Sequence, residues 1–172
     1  MKHGILCAHD LTESSDPALR LALDYAGRLQ AELTVLFVAT PPYPAPPGLW
    51  FAVEEANFEG LAERIAAAAR VELERRVKTF RGADDGPVHL AVESGEPGET
   101  ILAVAKKMGA ILLVLGTHGR QGWQHLMLGS IAERIVRTAA VPVLTVGPGV
   151  ILPELGKEAG ARPLLTVPPG LR

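Results

Sequence analysis

Gly4-Ile5-Leu6-Cys7-Ala8-His9-Asp10-Leu11-Thr12-Glu13-Ser14-Ser15-Asp16-Pro17 decides the fold class, because a short continuous apolar run breaks into a polar turn that in turn opens a helix. An unalternating run of this kind reads as a strand buried on both faces, the pattern of a parallel sheet. Ser15 or Asp16 is placed to cap the helix with Pro17 in its first turn, and Leu19, Ala22, Leu23, Ala26 and Leu29 recur at helical spacing on one face.

The same unit recurs outward from this start. Leu33 to Val38 is a second buried run, followed by a stiff loop punctuated by Pro41, Pro42, Pro44, Pro46, Pro47 and Gly48. Phe58, Leu61, Ile65, Ala69, Leu73, Val77 and Phe80 then predict a long helix, which Gly82 and Asp84-Asp85-Gly86 end. A third strand is expected over Val88 to Glu93, and a helix from Gly95-Glu96-Pro97-Gly98-Glu99 carries Ile101, Leu102, Ala105 and Met108 before Gly109. Ile111 to Leu115 is a fourth strand; a Gly-rich stretch follows, then a helix with Ile131, Ile135, Val136 and Ala139 on one face, and a last strand at Val143 to Val146. Strands alternating with amphipathic helices predict an α/β fold, a parallel sheet with helices on both faces. Ligands of such sheets sit outside the carboxyl ends of the strands where the order reverses, so the loops after the first, second and fourth strands are the candidates for chemistry.

With 172 residues, 48% hydrophobic and 21% charged, the chain suits one domain and a short appendage. A net charge of -2 supplies no basic field for nucleic acid, and the N-terminal apolar run is too short for a signal or a membrane span, so a cytoplasmic protein without nucleic-acid or membrane partners is expected. Cys7 is alone, which rules out an internal disulfide and favours a buried core thiol.

The most informative segment is Gly116-Thr117-His118-Gly119-Arg120-Gln121-Gly122-Trp123-Gln124-His125-Leu126-Met127-Leu128-Gly129-Ser130. Glycines at a strand exit let backbone approach a ligand, and a helix N-terminus offers free N–H groups to phosphate oxygens. Ser130 adds a hydroxyl, and His118, Arg120 and His125 add donors. Each glycine alone would be ordinary turn punctuation; the spacing is the signal. No GxGxxG follows the first strand and no GxxxxGK[ST] occurs, which disfavours a dinucleotide-dependent enzyme and a P-loop NTPase. Asp84-Asp85 reads as solvated turn acids, the five histidines lack ligand spacing, and the charges of the long helix, Glu63, Arg64, Arg70, Glu72, Glu74, Arg75, Arg76 and Lys78, read as a solvated face.

Glycine, two residues, glycine, nine residues, glycine, then serine is satisfied at Gly116, Gly119, Gly129 and Ser130, and in this the chain resembles the universal stress protein family. Ile131 to Val136, Val141 to Leu144 and Asp10 after the first strand are similar too; the likeness covers roughly residues 3 to 147. It implies a five-stranded parallel sheet of order 3-2-1-4-5 of the adenine nucleotide alpha hydrolase type, an adenine nucleotide across the switch point, and a homodimer through the last strand, about residues 142 to 147. Carried over by position, Asp10 would contact adenosine, Val38 would offer backbone groups to the adenine edge, and Gly116, Gly119, Gly129 and Ser130 would hold ribose and phosphates. Ala8, Val38 and Leu115 suit a purine face, and His9, Thr117, His118, Arg120 and Ile131 complete the candidate contact set. ATP, ADP and AMP, with Mg²⁺ bridging phosphates, stay open as ligands because Trp123, Gln124 and His125 leave the loop less positive. A ligand-binding regulatory module in the stress response is expected, a slow ATPase and a nucleotide-free dimerising protein being the alternatives.

The domain is expected to end at 147, and residues 148 to 172 form a Pro/Gly-rich extension. Within it Pro163-Leu164-Leu165-Thr166-Val167-Pro168-Pro169-Gly170 matches Pro142-Val143-Leu144-Thr145-Val146-Gly147-Pro148-Gly149 at six of eight positions. Chance likeness of two β-prone stretches and an extra strand at 164 to 167 are both readings of that echo.

Overall fold

The computed structural model describes residues 4–40, 58–82, 86–117 and 128–150, the side chains at 58, 59, 61 and 62 excepted. The Pro-rich loop, Asp84-Asp85, the echo at 163 to 170 and the predicted core positions Phe58 and Leu61 lie outside this description. The elements in chain order are β1 (Gly4–Ala8), a 3₁₀ turn (Glu13–Ser15), α1 (Asp16–Leu29), β2 (Glu32–Ala39), α2 (Phe58–Phe80), β3 (Val88–Ser94), α3 (Pro97–Met108), β4 (Ala110–Gly116), α4 (Ser130–Thr138) and β5 (Val143–Val146). The sheet is five-stranded and all parallel, in the order β3-β2-β1-β4-β5. Among the described residues no helix is long and apolar enough to cross a membrane.

Two apolar layers flank the sheet. Successive side chains of a strand point to opposite faces, so Ile5 and Cys7 of β1 join α1 and α2 in one core, with Leu19, Leu23, Leu33, Val35, Leu73 and Val114. Leu6 and Ala8 join the other, with Leu36, Ile101, Ala105, Leu113, Leu115, Ala132 and Ile135 of the α3/α4 side. Cys7 is fully buried, and that burial pushes its thiol up to about 12, so it is a core group with no thiolate chemistry.

Three sequence expectations are corrected. Leu29, assigned to the buried stripe of α1, is 54% exposed as the last residue of the helix, next to the left-handed cap Gln30. On α4 the packed positions are Ala132 and Ile135, whereas Ile131 and Val136 face outward. Arg76 is buried rather than solvated: it lies three residues beyond Leu73 and four before Phe80, on the stripe that α2 turns to the core. The helix ends follow known chemistry. Glu96 caps α3 by accepting hydrogen bonds from the Gly98 and Glu99 amides at 3.1 and 2.7 Å, and Gly109 closes it in the left-handed conformation.

Candidate functional site

The order reverses between β1 and β4, which place Ala8 opposite Leu115. β1 ends at Ala8 and β4 one residue beyond Leu115, so the Asp10 turn and Thr117 leave neighbouring strands at the same end of the sheet. The 3₁₀ turn that follows Asp10 packs against β4. Ala8, Leu115 and half-buried Val38, the residues of the expected apolar wall, belong to one apolar cluster on the α3/α4 side of the sheet.

The two ends of the Gly-rich segment meet. The Gly129 amide donates to the Thr117 carbonyl at 2.8 Å, while the Thr117 amide donates to the Val146 carbonyl at 2.9 Å and ties the strand exit to β5. A β-carbon on Gly129 would lie 3.1 Å from the Thr117 oxygen, a tight contact, so glycine is favoured here by close approach and not by its dihedrals, which are φ -58 and ψ 148. The next residue, Ser130, is exposed and opens α4, whose first-turn N–H groups have no partners within their own helix. Gly116, Thr117, Gly129, Ser130 and Ile131 are therefore gathered at one corner. His118, Gly119 and Arg120, with Trp123 and His125, lie outside the described residues.

The turn after β1 is shaped by its own side chains. Asp10 Oδ1 accepts from the Thr12 amide at 3.0 Å, the Thr12 hydroxyl at 2.6 Å and the Ser15 hydroxyl at 2.7 Å. Burial pulls this carboxyl upward, and the hydrogen bonds from Thr12 and Ser15 outweigh it, so Asp10 sits below the usual aspartate value and is ionised at neutral pH. Ser15, expected to cap α1, makes no cap hydrogen bond; its hydroxyl is turned to Asp10 instead. Leu11 has φ 68, a left-handed conformation that costs a non-glycine residue about 1–2 kcal/mol.

His9 departs from its expected place. Its amide donates to the Leu36 carbonyl at 2.9 Å, but the imidazole falls on the α1/α2 side of the sheet, opposite to Ala8, and is fully buried. Nδ1 accepts the Leu11 N–H at 2.9 Å, which assigns the proton to Nε2, and Nε2 donates to Asp16 Oδ1 at 3.1 Å. Asp16 is also paired with buried Arg76, whose Nε reaches Glu72 at 2.7 Å. Glu72 is held down to about 2, first by its hydrogen bond with Arg75 and then, against some desolvation, by Arg76. This chain of partners was not foreseen from sequence, and the position of Arg76 on the apolar stripe was the available signal. A cleft of about 250 Å³ opens beside it, lined by Glu13, Asp16, Arg75, Arg76, Thr79 and Phe80, on the face of the sheet away from the apolar wall.

Burial lowers the His9 value from its ordinary 6.5, although Asp16 and Asp10 favour the cation; Arg76 adds to the lowering. The folded chain thus binds fewer protons at His9 than the unfolded chain does, and stability from this group is complete above 6.5 and lost as pH falls below it. Melting temperature measured from pH 8 downward should accordingly fall more steeply for the native chain than for His9→Asn. Parallel slopes would show that His9 is not the proton acceptor.

The model of the family described as Universal stress protein matches residues 1–147. This chain belongs to the universal stress protein family. A universal stress protein of Methanocaldococcus jannaschii is 30% identical over 141 residues, 78% of each chain. Among solved structures, UspA of Lactobacillus plantarum superposes with a TM-score of 0.68 at 25% identity, covering 84% of this chain and 97% of that one. A universal stress protein solved in complex with cAMP shares the fold at 21% identity and a TM-score of 0.58, covering 86% of this chain and 98% of that one. The match ends at residue 147, one residue beyond β5.

Proposed function

We propose that this universal stress protein is an adenine-nucleotide-binding regulatory module that takes ATP, ADP or AMP in the crevice between the Asp10 turn and the Gly129 corner. The observation that supports the reading is the 2.8 Å bond from the Gly129 amide to the Thr117 carbonyl, which joins the exit of β4 to the start of α4. The apolar wall of Ala8, Val38 and Leu115 suits the purine, the Asp10 carboxylate suits ribose hydroxyls or an exocyclic amine, and the backbone N–H groups of α4 with Ser130 suit phosphate oxygens. A β-carbon at Gly129 would crowd the Thr117 carbonyl at 3.1 Å, which supports glycine at this neck. Gly119, His118 and Arg120 would complete the phosphate end, and a divalent ion would bridge phosphates. Hydrolysis needs a group that orients or deprotonates water at the terminal phosphate, and no described residue is assigned that role.

Binding to the folded state alone raises its stability by about 2.7 kcal/mol at a ligand concentration of 100 Kd. For a chain of this length that corresponds to a rise in melting temperature of roughly 5–10 °C. Titration of ligand-free protein with ATP, ADP and AMP should show it for at least one of them; no shift with any would refute the reading.

The same module is proposed to work as a homodimer through β5, with binding expressed in the geometry of the pair. Supporting this, β5 is an edge of the sheet. The carbonyls of Pro142 and Val146 bond to β4, so by alternation the backbone groups of Val143 and Thr145 face outward, ready to pair with another strand. Thr145→Pro deletes an outward N–H and leaves the β4 ladder in place. Light scattering should then report half the native mass; an unchanged mass would exclude this edge as the interface.

A further inference from the structure

The imidazole of His9 is buried on the side of the sheet opposite the apolar wall, and it grips the turn that presents Asp10. The amides of Leu11 and Thr12 are held by the side chains of the two residues before them: His9 Nδ1 takes the Leu11 N–H at 2.9 Å and Asp10 Oδ1 takes the Thr12 N–H at 3.0 Å. Between them Leu11 stands at φ 68, a conformation a leucine keeps only where its surroundings over-determine it. Its side chain packs on the α1/α2 core, which fixes one end of the residue, and His9 fixes the other. The ring itself is held by Asp16 at the start of α1, and Asp16 by Arg76 of α2. This places the left-handed residue between the rigid floor of the sheet and the carboxylate.

We propose that His9 is a positioning residue for nucleotide binding: its neutral ring locks Leu11 in the left-handed conformation and thereby sets where Asp10 points. The inference rests on the nucleotide-binding reading above. Two substitutions separate the bonds of the ring. Asparagine keeps an acceptor near the Nδ1 position for the Leu11 amide and gives up the reach to Asp16. Glutamine carries its amide out to Asp16 and leaves the Leu11 amide without that acceptor. Glycine at 11 adopts positive φ with no β-carbon, so it relieves the need for the lock.

The test is calorimetric titration of the full chain with ATP at pH 8, with melting temperatures recorded for every variant. His9→Gln is expected to weaken ATP binding about tenfold, the effect of losing one enforced backbone conformation. His9→Asn should bind more tightly than His9→Gln, and Leu11→Gly introduced beside His9→Gln should recover most of the lost affinity while lowering the melting temperature further through lost packing. A structural role alone predicts the opposite, affinity following melting temperature through the whole set. Affinity of His9→Gln equal to that of the native chain, or no recovery with Leu11→Gly, would overturn the proposal. Should His9→Gln fail to fold, a tenfold loss in His9→Asn would overturn it equally. The native chain is titrated with ADP and AMP as well, and the variants are compared with whichever nucleotide it binds. If it gives no heat with any of the three, it is the nucleotide-binding reading that has failed, a result distinct from native binding that is indifferent to residue 9.

Discussion

Asp16→Ala is expected to lower stability by about 3 kcal/mol, the range found when one partner of a buried ion pair is removed. The substitution leaves Arg76, with 9% of its side chain exposed, facing the void, and it takes away the acceptor of the His9 Nε2 proton. Glu72 still reaches Arg76 at 2.7 Å, which keeps the loss from being larger. The melting temperature should fall by roughly 6–12 °C, at about 2–4 °C per kcal/mol for a chain of this size. Arg76→Met is expected to destabilise by a similar amount, because it removes the cation that Asp16 is paired with. The double variant should be less destabilised than the sum of the two singles, since neither charge is then left alone. Additive losses by chemical denaturation would mean that Asp16 and Arg76 act separately.

Gly95→Ala is expected to be comparably damaging for a different reason. Gly95 follows β3 with φ +153, backbone that side chains rarely adopt, and a β-carbon built there would lie 2.5 Å from the Thr100 hydroxyl oxygen on α3. Its amide donates to the Ala39 carbonyl at 3.1 Å, so the conformation is anchored to the end of β2 and cannot relax freely. Strain of this kind costs about 1–3 kcal/mol and the contact adds to it. Thr100→Ala in the same chain should restore only the part due to the contact. Recovery of the full loss would show that the backbone conformation is not strained.

β1, β2 and β4 were legible because each is a short, largely apolar run between polar breaks at the centre of the sheet. β3, at an edge, carries exposed His89, Glu93 and Ser94 and was placed from its apolar positions Val88, Leu90 and Val92. β5 was placed at its observed bounds, and the order 3-2-1-4-5 follows from the family likeness that the comparisons bear out. Helical faces were less legible. Ile131 and Val136 are aliphatic but point away from the sheet, because α4 is short and packs through Ala132 and Ile135 only. Arg76 was misread for the converse reason: a charged residue on an apolar stripe announces a buried partner, and that partner, Asp16, is sixty residues away. His9 could be seen to follow β1 but not to turn beneath the sheet, since the parity of a strand is decided by which face its neighbours bury. Of the candidate contact residues, Ala8, Asp10, Val38, Leu115, Gly116, Thr117, Gly129, Ser130 and Ile131 lie toward the carboxyl end of the sheet. Gly119, with His118 and Arg120, lies outside the described residues.

Native mass spectrometry of the chain incubated in turn with ATP, ADP and AMP reads nucleotide occupancy directly. One adenine nucleotide bound per chain, and much reduced occupancy after Gly129→Val, is the expected result. A chain whose mass is unchanged in all three nucleotides would contradict it.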